Sequence, residues 1–91
     1  MDLYIQREKE ISLQEWIEYV NTDRDLVLME SEEVINPITR QKMIMKIVGI
    51  ALLGDSEIIY REGRIGCDDY SEKVLVKLRE IAKTLGAEIF E

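Results

Sequence analysis

Residues 42–53, Lys-Met-Ile-Met-Lys-Ile-Val-Gly-Ile-Ala-Leu-Leu, form the longest apolar stretch of the chain. β-Branched residues recur through it, and it reads as the central strand of one sheet. A period of two puts Met43, Met45, Ile47, Ala51 and Leu53 on one face, which reads as core throughout. Lys42, Ile44, Lys46, Val48, Ile50 and Leu52 take the other face, which begins charged and turns apolar after Lys46. Gly49 sits at that change and suits a bulge or a close approach of backbone.

Around this stretch the pattern places further elements. Leu3-Tyr4-Ile5-Gln6-Arg7 alternates as a first strand with Leu3 and Ile5 inward. Ser12 and Glu15 make a capping box, with Ile11 placed to staple onto Trp16. Leu13, Trp16, Ile17 and Val20 then mark one helical face. Residues 26–29 are apolar enough for a strand or a loop, and a strand is favoured over 30–35. Asn36-Pro37-Ile38-Thr39 is a turn, because Pro37 cannot donate to a ladder and holds Asn36 extended. Residues 57–61 and 64–67 form a hairpin across Glu62-Gly63. Asp69 is the expected cap of a second helix. Val74, Leu75, Leu78, Ile81, Ala82 and Leu85 are its buried stripe, Gly86 its stop, and Lys73, Lys77 and Glu80 its solvated outer face. A short last strand follows at 87–90.

The expected order is β-α-β-β-β-β-α-β, one α+β domain over residues 1–91. Two helices lie on one face of a mixed sheet, a ferredoxin-like (split βαβ) plan with an added hairpin. Helices on one face leave the reverse face bare. Tyr4, Ile44, Val48, Ile50 and Leu52 fall there, and that much exposed apolar surface predicts a second copy of the chain, a homodimer. The alternative is that a bulge at Gly49 returns Ile50 and Leu52 to the core.

Composition narrows the function. A chain of 91 residues, 46% hydrophobic and 34% charged, is expected to fold as a globular protein with little margin. No secretory leader or span-length apolar run is visible, and the single cysteine excludes an internal disulfide, so a cytoplasmic protein without a membrane partner is expected. The net charge is −7. Residues 1–35 hold ten acids and three bases, while residues 36–91 hold nine of each. A field of this sign repels phosphate backbones, so nucleic acid is not an expected partner, and it attracts a basic protein. Glu15, Glu18, Asp23, Asp25, Glu30, Glu32 and Glu33 are the candidate docking residues.

Catalytic chemistry has little support. Histidine is absent from the sequence. Cys67 is flanked by Asp68 and Asp69, which oppose thiolate formation, so it reads as a small buried residue rather than a nucleophile. The two aspartates lack a third ligand at a fixed offset for Ca²⁺ or Mg²⁺. No catalytic residue, metal or cofactor is assigned.

The segments Ile11-Ser12-Leu13-Gln14-Glu15-Trp16-Ile17-Glu18-Tyr19-Val20 and Lys77-Leu78-Arg79-Glu80-Ile81-Ala82-Lys83-Thr84-Leu85-Gly86-Ala87-Glu88 resemble those of small acidic bacterial proteins. Some of these are candidate immunity proteins of toxin systems. The resemblance implies the fold more than an activity; joined to the acidic first third, it gives the expectation of a non-enzymatic binding module, an immunity-type inhibitor of a basic partner. The competing expectation is a small-ligand or regulatory domain with a pocket near Ile50 and Tyr60, at the sheet face or dimer seam.

Overall fold

The computed structural model describes residues 1–29 and 31–91, with the side chains of Ser31, Glu32, Glu33 and Met45 outside that description. The elements are β1 (Leu3–Gln6), α1 (Leu13–Thr22), β2 (Leu26–Leu28), β3 (Ser31–Ile35), β4 (Lys42–Lys46), β5 (Ile50–Leu53), β6 (Ser56–Arg61), β7 (Arg64–Cys67), α2 (Glu72–Leu85) and β8 (Glu88–Phe90). The architecture is α+β. A six-stranded sheet runs β2-β5-β6-β7-β1-β8, and β3 and β4 form a separate two-stranded sheet.

All five pairings of the large sheet are antiparallel, where the sequence predicts a mixed sheet. The helical connection from β7 to β8 explains the difference. It passes over β1, which lies between the two strands it joins and runs opposite to both. The β6–β7 hairpin turns at Glu62-Gly63, both with positive φ, as the sequence predicts.

One face of this sheet carries Leu3, Ile5, Leu26, Ala51, Leu53, Ile58, Ile65 and Cys67, all buried. Trp16 and Val20 of α1, and Val74, Leu78, Ile81 and Ala82 of α2, join them in one core. Both helices therefore cover the same face. The predicted Ser12–Glu15 capping box forms, with Glu15 N–H donating to Ser12 Oγ at 3.1 Å and Ser12 N–H donating to Glu15 Oε2 at 2.8 Å. Ile11 is fully buried beside it. At the second helix the cap is Ser71 rather than Asp69. Asp69 has φ 47° and its N–H donates to Asp2 Oδ2, which holds it outside the helix.

The single central strand expected over residues 42–53 does not form. It divides at Gly49 into β4 and β5, which lie in different sheets. Gly49 has φ +82°, and its carbonyl accepts from Trp16 Nε1–H at 3.0 Å and from the Tyr60 N–H at 2.8 Å. Those two bonds turn the chain where the apolar run alone gives no stop. The face expected to be core throughout is core only in its second half: Ala51 and Leu53 are buried, whereas Met43 is exposed. The bulge that would have returned Ile50 and Leu52 to the core does not do so, since Ala51 and Leu53 occupy the inward positions of β5. A strand at Leu26–Leu28 resolves the ambiguity of residues 26–29.

Candidate functional site

The β3–β4 hairpin is an arm. Its strands pair Ile35 with Lys42, Val34 with Met43 and Ser31 with Lys46, and among the described residues neither strand pairs with a third. Asn36 builds the tip: its Oδ1 accepts from the Ile38 N–H at 2.9 Å and the Thr39 N–H at 3.3 Å, an Asx turn preceding Pro37 and the rest of the loop. The molecule measures 46 × 26 × 24 Å, with a Cα radius of gyration of 14.3 Å. A compact chain of this length would have a radius of about 12 Å. The elongation fits an arm that leaves the core.

The arm is apolar and bare. Ile38 is 91% exposed, Ile44 80%, Ile35 60%, Val48 55% and Met43 52%. Scattered exposed hydrophobics need no explanation, but here they concentrate on one short hairpin and its root, with Ile35 and Ile44 on one face of the hairpin and Met43 on the other. At that root lies a groove of about 400 Å³ lined by Ile17, Leu28, Met29, Lys46, Ile47, Val48 and Gly49. Its walls come from the outer side of α1, the end of β2 and the connection into β5, so the Trp16–Gly49 bond fixes its floor.

The second exposed region is the helix-free face of the large sheet. The register Ile50–Ile59–Gly66–Tyr4–Phe90 runs in one line across five strands. Tyr4 and Phe90 stack with centroids 5.5 Å apart, and the Arg64 guanidinium lies 5.4 Å from the Tyr4 ring centroid. Tyr4 and Phe90 are half-buried there, while Arg64 stays exposed. The expected self-association set is thus divided. Ile44 and Val48 belong to the arm and its root, while Tyr4, Ile50 and Leu52 belong to the helix-free face, because the strand breaks at Gly49.

The acidic candidates are divided too. Glu15 is held by Arg7, whose Nη2 donates to both carboxylate oxygens at 2.7 and 2.6 Å. Hydrogen bonds from Arg7, then from the Ser12 backbone, hold its pKa down to about 2. Glu18 accepts from Gln14 on the outside of α1. Asp23 and Asp25 converge on Lys77, with Glu80 as the third carboxylate, at 3.1, 2.8 and 2.9 Å. Glu30 lies outside the described residues, as do the side chains of Glu32 and Glu33.

Lys77 corrects the expectation of a solvated outer face on α2. It is buried, because the loop after α1 lays Asp23 and Asp25 across it. Tyr19 Oη–H also donates to Asp23 Oδ2 at 2.8 Å. Burial pushes the Lys77 pKa down, but its hydrogen bonds to Asp25, Glu80 and Asp23 outweigh that and leave it raised. Burial likewise works against the Asp23 carboxylate, and bonds from the Asp25 N–H, Tyr19 and Lys77 reverse the sign and lower its pKa. Asp25, Lys77 and Glu80 border a hollow of about 400 Å³ with Leu53, Gly54, Lys73 and Val76. Sequence patterning gave no signal for the joining of Asp23 and Asp25 to Lys77, since each lies more than fifty residues from it.

Cys67 is buried, and burial, then the Asp68 charge, pushes its thiol pKa up, so it is not primed as a nucleophile. Among the described residues no group of three His, Cys, Asp or Glu side chains could hold a metal ion. None of their helices is long and apolar enough to cross a membrane. Tyr60, placed near the expected ligand pocket, donates its hydroxyl to the Ile11 carbonyl at 2.7 Å.

The fold and its exposed surfaces define an α+β protein with a projecting apolar hairpin. No protein-family model matches this chain, and no curated protein or solved structure matches it either.

Proposed function

We propose that this chain is a non-enzymatic protein-binding module whose contact surface is the β3–β4 arm and the groove at its root. One observation carries the proposal: the arm's apolar side chains stand in water while a complete core lies elsewhere. Leaving them exposed costs solubility and gains no stability, so a contact surface is the economical account of their presence. Gel filtration of extracts at native expression tests it. The wild type should elute in a complex above the 10.7 kDa of one chain. The Ile35→Lys/Ile44→Lys variant should elute as one chain with unchanged far-UV circular dichroism. Elution of both at the mass of one chain overturns the proposal.

A second reading keeps the basic partner of an immunity-type inhibitor. It is supported by Asp25 and Glu80, whose carboxylates are mostly exposed at the rim of the Lys77 hollow. Three carboxylates share one ammonium there, and the excess suits a guanidinium or ammonium from outside. Asp25→Lys would abolish such binding and leave arm-mediated association intact.

A further inference from the structure

We infer that the occupant of the arm is a second copy of this chain, each arm laying its apolar side chains into the groove at the root of the other. The inference rests on the arm being a contact surface and names what covers it.

Charge selects the occupant. Residues 31–46, the arm from the start of β3 to the end of β4, hold two acids (Glu32, Glu33) and three bases (Arg40, Lys42, Lys46), so the arm carries +1 and the rest of the chain −8. An arm shaped for a basic partner would share the acidic excess of the rest of the chain. An arm that meets an identical, strongly acidic molecule is complementary to it when its own excess is basic, as it is here.

Shape points the same way. The apolar projection and the apolar groove adjoin each other through Val48, which is exposed at one end of the arm and lines the groove. A two-fold axis can therefore satisfy both surfaces at once, projection to groove twice over, as an isologous contact requires. The groove, at about 400 Å³, has room for more than one aliphatic side chain. Ile38 and Ile44 are at least four-fifths exposed and Ile35 more than half, so a contact with a second copy has aliphatic area to bury toward the ~800 Å² per partner of a stable interface.

Salt gives the association a signature. Two copies at −7 repel through their bodies while their arms attract by burial. Added salt screens the first and spares the second. The purified protein, followed by sedimentation equilibrium from about 1 to 300 µM, reads this out. The expected result is a mass rising from one chain to two, with the dissociation constant falling at least threefold between about 20 and 500 mM NaCl. Ile44→Lys is expected to stay at one chain at every concentration, and Thr84→Lys, on the exposed side of α2, to associate like the wild type. Both variants should keep the wild-type far-UV circular dichroism and melting curve. A wild type that stays single at 300 µM, an Ile44→Lys that pairs normally, or a dissociation constant that rises with salt overturns the inference. If the wild type is single when pure yet migrates in a complex in extracts, the arm still binds a protein, but a different one.

Discussion

The indole of Trp16 donates from Nε1–H to the carbonyl of Gly49 at 3.0 Å, with both residues buried. The bond ties the middle of α1 to the point where the chain leaves the arm and enters the large sheet. Gly49 O also accepts from the Tyr60 N–H, so Trp16→Phe would not orphan it. The expected cost is about 1–2 kcal/mol, from one lost hydrogen bond and a small void. Urea denaturation checks the magnitude. Gly49→Ala is the sharper variant: a Cβ there would sit 3.2 Å from Tyr60 Cβ on a backbone of positive φ. About 1–3 kcal/mol is expected, with altered arm resonances in a ¹⁵N spectrum.

Lys77 is the second structural tie. Lys77→Met would leave the Asp23 carboxylate, 9% exposed, without its cation. About 3 kcal/mol of destabilisation is expected by chemical denaturation at pH 7. The Asp23 pKa is lowered in the folded state, so its contribution is present above the ordinary aspartate range and is lost as pH falls through the depressed value. The Lys77 pKa is raised, so its contribution holds below the ordinary lysine value and is lost only above it. Wild-type stability should therefore show no loss from this network between pH 6 and 9.

Glu15 makes an acid-side prediction. Its carboxyl titrates at about 2 when folded against an ordinary value of 4.5. The stability it lends is complete above about 4.5 and disappears as pH falls toward 2. In Arg7→Gln the guanidinium hydrogen bonds that do most to hold the carboxylate ionised are gone, and the Glu15 carboxyl should titrate distinctly higher in a ¹³C-detected pH series. An unchanged midpoint would mean that the Ser12 cap alone holds it.

Gly66 stands where the large sheet leaves no room for a side chain. A Cβ at this position would lie 2.3 Å from the Leu3 carbonyl oxygen and 2.6 Å from Tyr4 Cβ. Backbone on a neighbouring strand cannot give way as a flexible side chain can. Gly66→Ala should cost roughly 3 kcal/mol, at the upper end for overpacking, measured as a lowered denaturant midpoint.

What the sequence disclosed was local. The Ser12–Glu15 box, the α2 stripe, the Glu62-Gly63 turn and the Gly86 stop depend on residues within a turn of one another, and they appear where the pattern puts them. Leu3 and Ile5 face inward as their alternation requires. The division of residues 42–53 was not legible, because Met43 and Ala51 carry the same signal in a hydrophobic pattern. Only the helix above distinguishes a covered face from a bare one. Lys77 misled for the same reason: a lysine on the outer face of a helix looks solvated until a distant loop folds across it. Of the candidate site, Ile44 and Val48 were visible as apolar residues in need of cover. Their separation from Ile50 and Leu52 followed from Gly49's contacts with Trp16 and Tyr60.

The central claim is that this protein meets its partner through the arm. A photo-activated phenylalanine analogue at position 44, compared with the same probe at position 76, tests it most directly. Irradiation of living cells should give one discrete adduct from position 44 and none from position 76, and Val48→Asp should abolish the adduct. Equal labelling from the two positions, or an adduct at 44 that survives Val48→Asp, would contradict the account.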